Sequence, residues 1–140
     1  MKKKNDADML AAIVQASNRH ATRPALVLDD QTYTYQELFG LVGSICETLR
    51  NLKENVIGIT AENRMETYAS ILAVLLSGKT YVILHPDYPA ERNCRIARQS
   101  GIGLLLYSGK NGNMLPEDIN AIRVCPVSYT HLTLPTNSRV

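Results

Sequence analysis

The chain has 140 residues, the length of one domain, and its 45% hydrophobic and 20% charged residues are typical of a globular protein rather than a disordered one. The net charge of +2 is too small to indicate nucleic acid or a membrane surface as a partner, and no apolar run is long enough to cross a bilayer. Cys46, Cys94 and Cys125 have no metal-type spacing, so we expect reduced thiols in a cytoplasmic protein.

The N-terminal region predicts a helix followed by a hairpin. Asp8 is a candidate N-cap for a first helix whose apolar residues between 9 and 14 share one face. Residues 25–28 and 32–34 predict two short strands, which the turn-forming residues 29–30 join.

A helix-start signal predicts a second helix. Thr34 and Glu37 have the spacing of a capping box, a hydroxyl three residues before a carboxylate. Apolar side chains then recur at the period of an amphipathic helix. They are Leu38, Leu41, Val42, Ile45, Cys46 and Leu49.

Strands and helices alternate in the rest of the chain. The predicted strands are 55–59, 81–84 and 103–107, with 122–125 as a candidate fourth, and the predicted helices are 65–77 and 90–100. The first of these helices is apolar nearly all round, which indicates burial on more than one side, and Gly78 is its natural terminator. The unbroken apolarity of residues 81–84 is typical of a central parallel strand covered on both faces. This alternation predicts an α/β fold of three layers, αβα, around a mostly parallel sheet.

The polar residues that follow the strand at 81–84 are candidates for a ligand site. His85 and Asp87 come where that strand reaches the carboxyl edge of the sheet, the edge at which ligands bind in such folds. With no partner in the sequence, however, His85 is better interpreted as an exposed or capping loop residue, and His20 has no stronger claim. Residues 107–113 lack the spacing of a phosphate-binding loop and favour a solvated turn. We therefore assign no catalytic, cofactor-binding or metal-binding residue.

Two segments carry a family resemblance. Residues 34–38 (TYQEL) and 75–92 (LLSGKTYVILHPDYPAER) resemble the first two core motifs of the adenylate-forming enzymes, the AMP-dependent synthetases and ligases. The ending at residues 88–92 is most similar to the amino-acid-activating branch, which comprises adenylation domains of nonribosomal peptide synthetases and D-alanine–carrier-protein ligases. Ile83 and His85 depart from the motif, which has proline and aspartate at these positions.

The resemblance implies that residues 1–125 are an incomplete N-terminal portion of the large domain of such an enzyme. The full-length family member uses ATP and Mg²⁺ to activate a carboxylate, here an amino acid, as an acyl adenylate, and a phosphopantetheinyl carrier protein then accepts the acyl group. The family's Ser/Thr/Gly-rich phosphate loop and its later motifs do not occur in this sequence. We therefore expect the chain to be inactive alone and to bind no cofactor.

Residues 126–140 are expected to form a non-native or unstructured tail. The stretch 127–136 (VSYTHLTLPT) resembles a translated transposase mosaic-end adapter, as used in preparing sequencing libraries. The alternative is a natural edge strand at 127–134, where polar and apolar residues alternate.

A different class of protein also remains open. The alternation of strands and helices is compatible with a stand-alone, flavodoxin-like α/β binding or regulatory domain. A phosphate-accepting receiver domain needs acidic residues clustered at the strand ends. Residues 60–62 (TAE) and 85–87 (HPD) give that version little support.

Overall fold

The computed structural model describes residues 2–109 and 119–124, with side chains from residue 11 onward. Its elements are α1 (Lys2–Arg19), β1 (Pro24–Leu28), β2 (Gln31–Thr34), α2 (Tyr35–Arg50), β3 (Val56–Thr60), α3 (Met65–Leu76), β4 (Thr80–Leu84), α4 (Ala90–Ser100), β5 (Leu104–Tyr107) and β6 (Asn120–Arg123). The first helix begins at Lys2, so the predicted start at Asp8 is wrong. The candidate strand at 122–125 lies two residues earlier, and Cys125 is outside the described residues.

The predicted hairpin is confirmed. Strands β1 and β2 pair antiparallel, and Leu28 is opposite Gln31 at the turn. Both turn residues, Asp29 and Asp30, have positive φ angles, of 46° and 70°. Two such residues form the kind of tight turn whose twist matches that of the flanking strands, and aspartate tolerates this conformation better than most residues.

The predicted capping box begins α2. The backbone N–H of Glu37 donates to the Thr34 hydroxyl at 3.1 Å, and the backbone N–H of Thr34 donates to the Glu37 carboxylate at 2.9 Å. Two backbone donors that the helix itself cannot satisfy are therefore paired.

Removing this cap should cost measurable stability. We expect Thr34→Ala to lower the free energy of unfolding by about 1 kcal/mol, because the Glu37 N–H loses its acceptor. Urea unfolding followed by circular dichroism measures the change. Thr32→Ala, at an exposed position of β2, is the matched control, and equal losses for the two variants would contradict a capping role for Thr34.

Four parallel strands form the main sheet, in the order β4-β3-β5-β6. The prediction that residues 81–84 form a central strand is therefore wrong. Strand β4 lies at an edge of the described sheet, and Tyr81 is 37% exposed. The two interior positions belong to β3 and β5, because the chain passes from β4 across β3 before it forms β5. An apolar run shows that a strand is covered, but the order of the strands depends on these crossovers.

Helices cover both faces of this sheet, which gives the predicted αβα layers. On one face, α2 and α3 pack against Ile57, Ile59 and Leu106 in the larger core. On the other face, Ala97 of α4 packs with Leu105 in a smaller core. Successive residues of β5 enter opposite cores, as the alternation of a strand requires.

Helix α3 is less covered than its sequence predicts. Ala69, Ala73 and Val74 are fully buried, but Tyr68 and Leu75 are 37% and 38% exposed. The helix packs against both α2 and the sheet, which confirms the predicted burial on more than one side, but its apolar residues are not covered all round. Gly78 follows the helix with a φ angle of 74°, which confirms it as the left-handed terminator. Within residues 2–109 and 119–124, no helix has the length and apolarity needed to cross a membrane.

Candidate functional site

The direction in which the chain adds strands to the sheet reverses between β3 and β5. From β3 the chain reaches β4 through α3, and from β4 it returns across β3 to β5 through α4. In the order of the strands, β4 lies on one side of β3 and β6 lies on the other side of β5, so the connections that follow β3 and β5 lead in opposite directions across the sheet. Ligands of open α/β sheets bind at such a reversal. We call the polar residues there the switch-point cluster; they are Thr60, Glu62, Thr67, Ser108 and Gly109.

Two buried threonines hold the loop after β3. The Thr60 hydroxyl reaches the Leu106 carbonyl of β5 at 3.5 Å. The Thr67 hydroxyl donates to the Thr60 carbonyl at 3.3 Å and accepts from the Glu62 N–H at the same distance. The first turn of α3 therefore fixes the position from which Glu62 extends.

The cluster contains two buried polar groups that have no hydrogen-bond partner among the described residues. One carboxylate oxygen of Glu62, Oε1, is paired with Arg64 Nε at 3.0 Å. The other oxygen, Oε2, and the Ser108 hydroxyl are buried and have no hydrogen-bond partner within the described part of the chain. Leaving such a group unpaired costs about 1–3 kcal/mol, so each of the two favours a hydrogen-bonding partner that the described residues do not supply.

Gly109 brings the backbone close to the Glu62 carboxylate. A Cβ atom added at Gly109 would lie 2.6 Å and 2.7 Å from the two carboxylate oxygens, so a larger residue there would require the Glu62 side chain to move. A phosphate-binding loop presents free backbone N–H groups to the anion. Here a carboxylate already occupies that space and would repel a phosphate. With Glu62 in this position, the loop at Gly109 presents a negative charge where a phosphate-binding loop presents donors.

The sequence prediction for residues 107–113 needs a correction. Ser108 is only 4% exposed, so it is not part of a solvated turn. Residues 110–113 lie outside the described part of the chain. Glu62 and Ser108 were missed as site residues although each follows a buried strand, the same signal that directed attention to His85.

The loop after β4 is held together by its own side chains. The buried Asn93 amide donates to the His85 carbonyl at 2.8 Å. The same carbonyl accepts from the Tyr88 N–H at 3.1 Å. The Tyr88 ring lies 5.1 Å from the His85 ring, and the Arg92 guanidinium lies 4.0 Å from the Tyr88 centroid. Arginine over an aromatic face is a favourable cation–π contact. The motif at residues 85–93 thus stabilises the turn into α4.

The other sequence candidates are at the surface. His85 and Asp87 are exposed, which confirms the interpretation of His85 as a loop residue, and His20 lies in the turn after α1. That none of them is catalytic stays a prediction. The structure does not bring His20 into the switch-point cluster, whose members end or follow β3, follow β5, or lie in the first turn of α3.

Within the described residues, neither Cys46 nor Cys94 forms a disulfide, and burial raises the pKa of the Cys46 thiol above its ordinary value. Cys46 is therefore less reactive than an exposed cysteine at neutral pH. Among residues 2–109 and 119–124, no three His, Cys, Asp or Glu side chains lie close enough to hold a metal ion.

Comparison with known proteins assigns the family. The model of the AMP-binding enzyme family matches residues 13–137. The chain is 37% identical over 95 residues to bacitracin synthase 2 of Bacillus licheniformis, covering 66% of this chain and 4% of that protein. It is 30% identical over 125 residues to surfactin synthase subunit 1 of Bacillus subtilis (strain 168), covering 86% of this chain and 3% of the relative. The chain therefore spans only a small part of the length of these relatives.

Solved structures share the fold. A nonribosomal peptide synthetase, FmoA3, in its AMPPNP-bound form superposes with a TM-score of 0.75 at 23% identity, over 82% of this chain and 13% of that one. The O-succinylbenzoate coenzyme A synthetase of Bacillus subtilis, in complex with AMP, gives a TM-score of 0.69 at 25% identity, over 80% of this chain and 30% of that one. The match of the family model, together with this shared fold, shows that the chain belongs to the AMP-binding, adenylate-forming enzyme family.

Proposed function

We propose that residues 1–125 are the N-terminal part of an amino-acid-activating adenylation domain and are inactive alone. In the complete enzyme, an amino-acid carboxylate and ATP, with Mg²⁺, would give an acyl adenylate and pyrophosphate. The thiol of a phosphopantetheinyl carrier protein would then take the acyl group. Residues 126–140 would be a non-native tail.

The observation that carries this proposal is the 37% identity with a peptide synthetase over 95 residues. The geometry around His85 adds support, because Asn93, Tyr88 and Arg92 stabilise the motif through contacts within it, although Asn93 Oδ1 is buried with no hydrogen-bond partner among the described residues. The contribution of the described residues to the reaction is therefore architectural. They support a sheet edge on which residues from elsewhere in the enzyme would bind the nucleotide.

We also propose that the protein is cytoplasmic and that neither nucleic acid nor a membrane is its partner. The flavodoxin-like alternative has one observation in its favour, since β4-β3-β5-β6 follows the strand order of that fold. Membership of the AMP-binding enzyme family favours the ligase over a stand-alone binding domain.

The chain itself should not bind ATP tightly. Because the Glu62 carboxylate lies against Gly109, we expect calorimetric titration of the 140-residue chain with ATP and Mg²⁺ to give no saturable binding in the micromolar range. Exchange of pyrophosphate into ATP should likewise stay at background with a panel of amino acids. Tight, Mg²⁺-dependent binding would contradict the proposal that the chain is inactive alone.

Sequencing the genomic DNA beyond the codon for Cys125 tests whether the chain is part of a longer domain. We expect the reading frame to continue into a Ser/Thr/Gly-rich phosphate loop. The family match extends to residue 137, so genomic DNA that encodes residues 126–140 as given would contradict the proposed non-native tail and favour the edge strand at 127–134. A stop codon soon after Cys125 would instead favour a small stand-alone domain.

A further inference from the structure

We draw no further inference here: the strongest candidate, the side-chain cluster of the buried Glu62 Oε2 and Ser108 hydroxyl at the carboxyl edge of the sheet, belongs to the switch-point cluster already described, and nothing within residues 2–109 and 119–124 shows which group pairs with either of them.

Discussion

Replacing Asn93 by aspartate is expected to lower the free energy of unfolding by about 3 kcal/mol at pH 7. Asn93 is fully buried, and its amide donates to the His85 carbonyl at 2.8 Å. A carboxylate has nearly the same shape but cannot donate, so it would place a buried negative charge against a carbonyl oxygen. Urea unfolding measures the loss, and the turn at residues 85–89 should lose its fixed geometry with it.

The loss should depend on pH in a defined direction. Burial would raise the folded-state pKa of the introduced carboxyl group above its unfolded value of about 3.9. The protonated form can donate to the His85 carbonyl, so stability is retained below the unfolded pKa and is lost as the pH rises through the folded pKa. Asn51→Asp, at the exposed end of α2, is the control and should cost less than about 1 kcal/mol. A variant at Asn93 as stable as the parent chain at pH 7 would show that this amide does not hold the turn.

Shortening Leu41 to alanine is expected to cost about 3 kcal/mol, within the range seen for buried leucines. Leu41 is fully buried in the larger core, where α2 packs against α3 and the sheet. The substitution removes apolar contacts and leaves a cavity that the surrounding core can close only in part. Denaturant unfolding of parent and variant chains gives the difference directly.

Leu75→Ala provides the comparison within the same helix pair. Leu75 is 38% exposed on α3, so the same chemical change should cost less than about 1 kcal/mol. If the two variants lost equal stability, the packing of α2 against α3 described above would be wrong. A loss for Leu41→Ala alone would support it.

Local signals in the sequence predicted most of the elements. The capping box of Thr34 and Glu37 needs only two residues three apart, and it is present as predicted. The helical period of α2 and the glycine after α3 are equally local, because each depends on a few neighbouring backbone groups. These features could be read without knowing what they pack against.

The order of the strands could not be predicted in this way. The apolar run of β4 indicated a central strand, yet its place at an edge depends on the direction in which the chain crosses β3. The contact between Glu62 and Gly109 likewise joins residues 47 positions apart, as their numbers in the chain show. Nothing in the sequence around Glu62 indicates that Gly109 lies beside it. Only the folded sheet shows that the two residues meet at one edge.

The position of β4 has a physical consequence for the chain in solution. Among the described strands, β4 pairs only with β3, so one side of its backbone keeps amide and carbonyl groups with no neighbouring strand. Natural proteins protect such a border with lysine, proline or a bulge, but residues 80–84 (TYVIL) contain no charge and no proline. A short β-branched and aromatic segment of this kind is a template for self-association, and nothing within the strand itself opposes the addition of a second molecule.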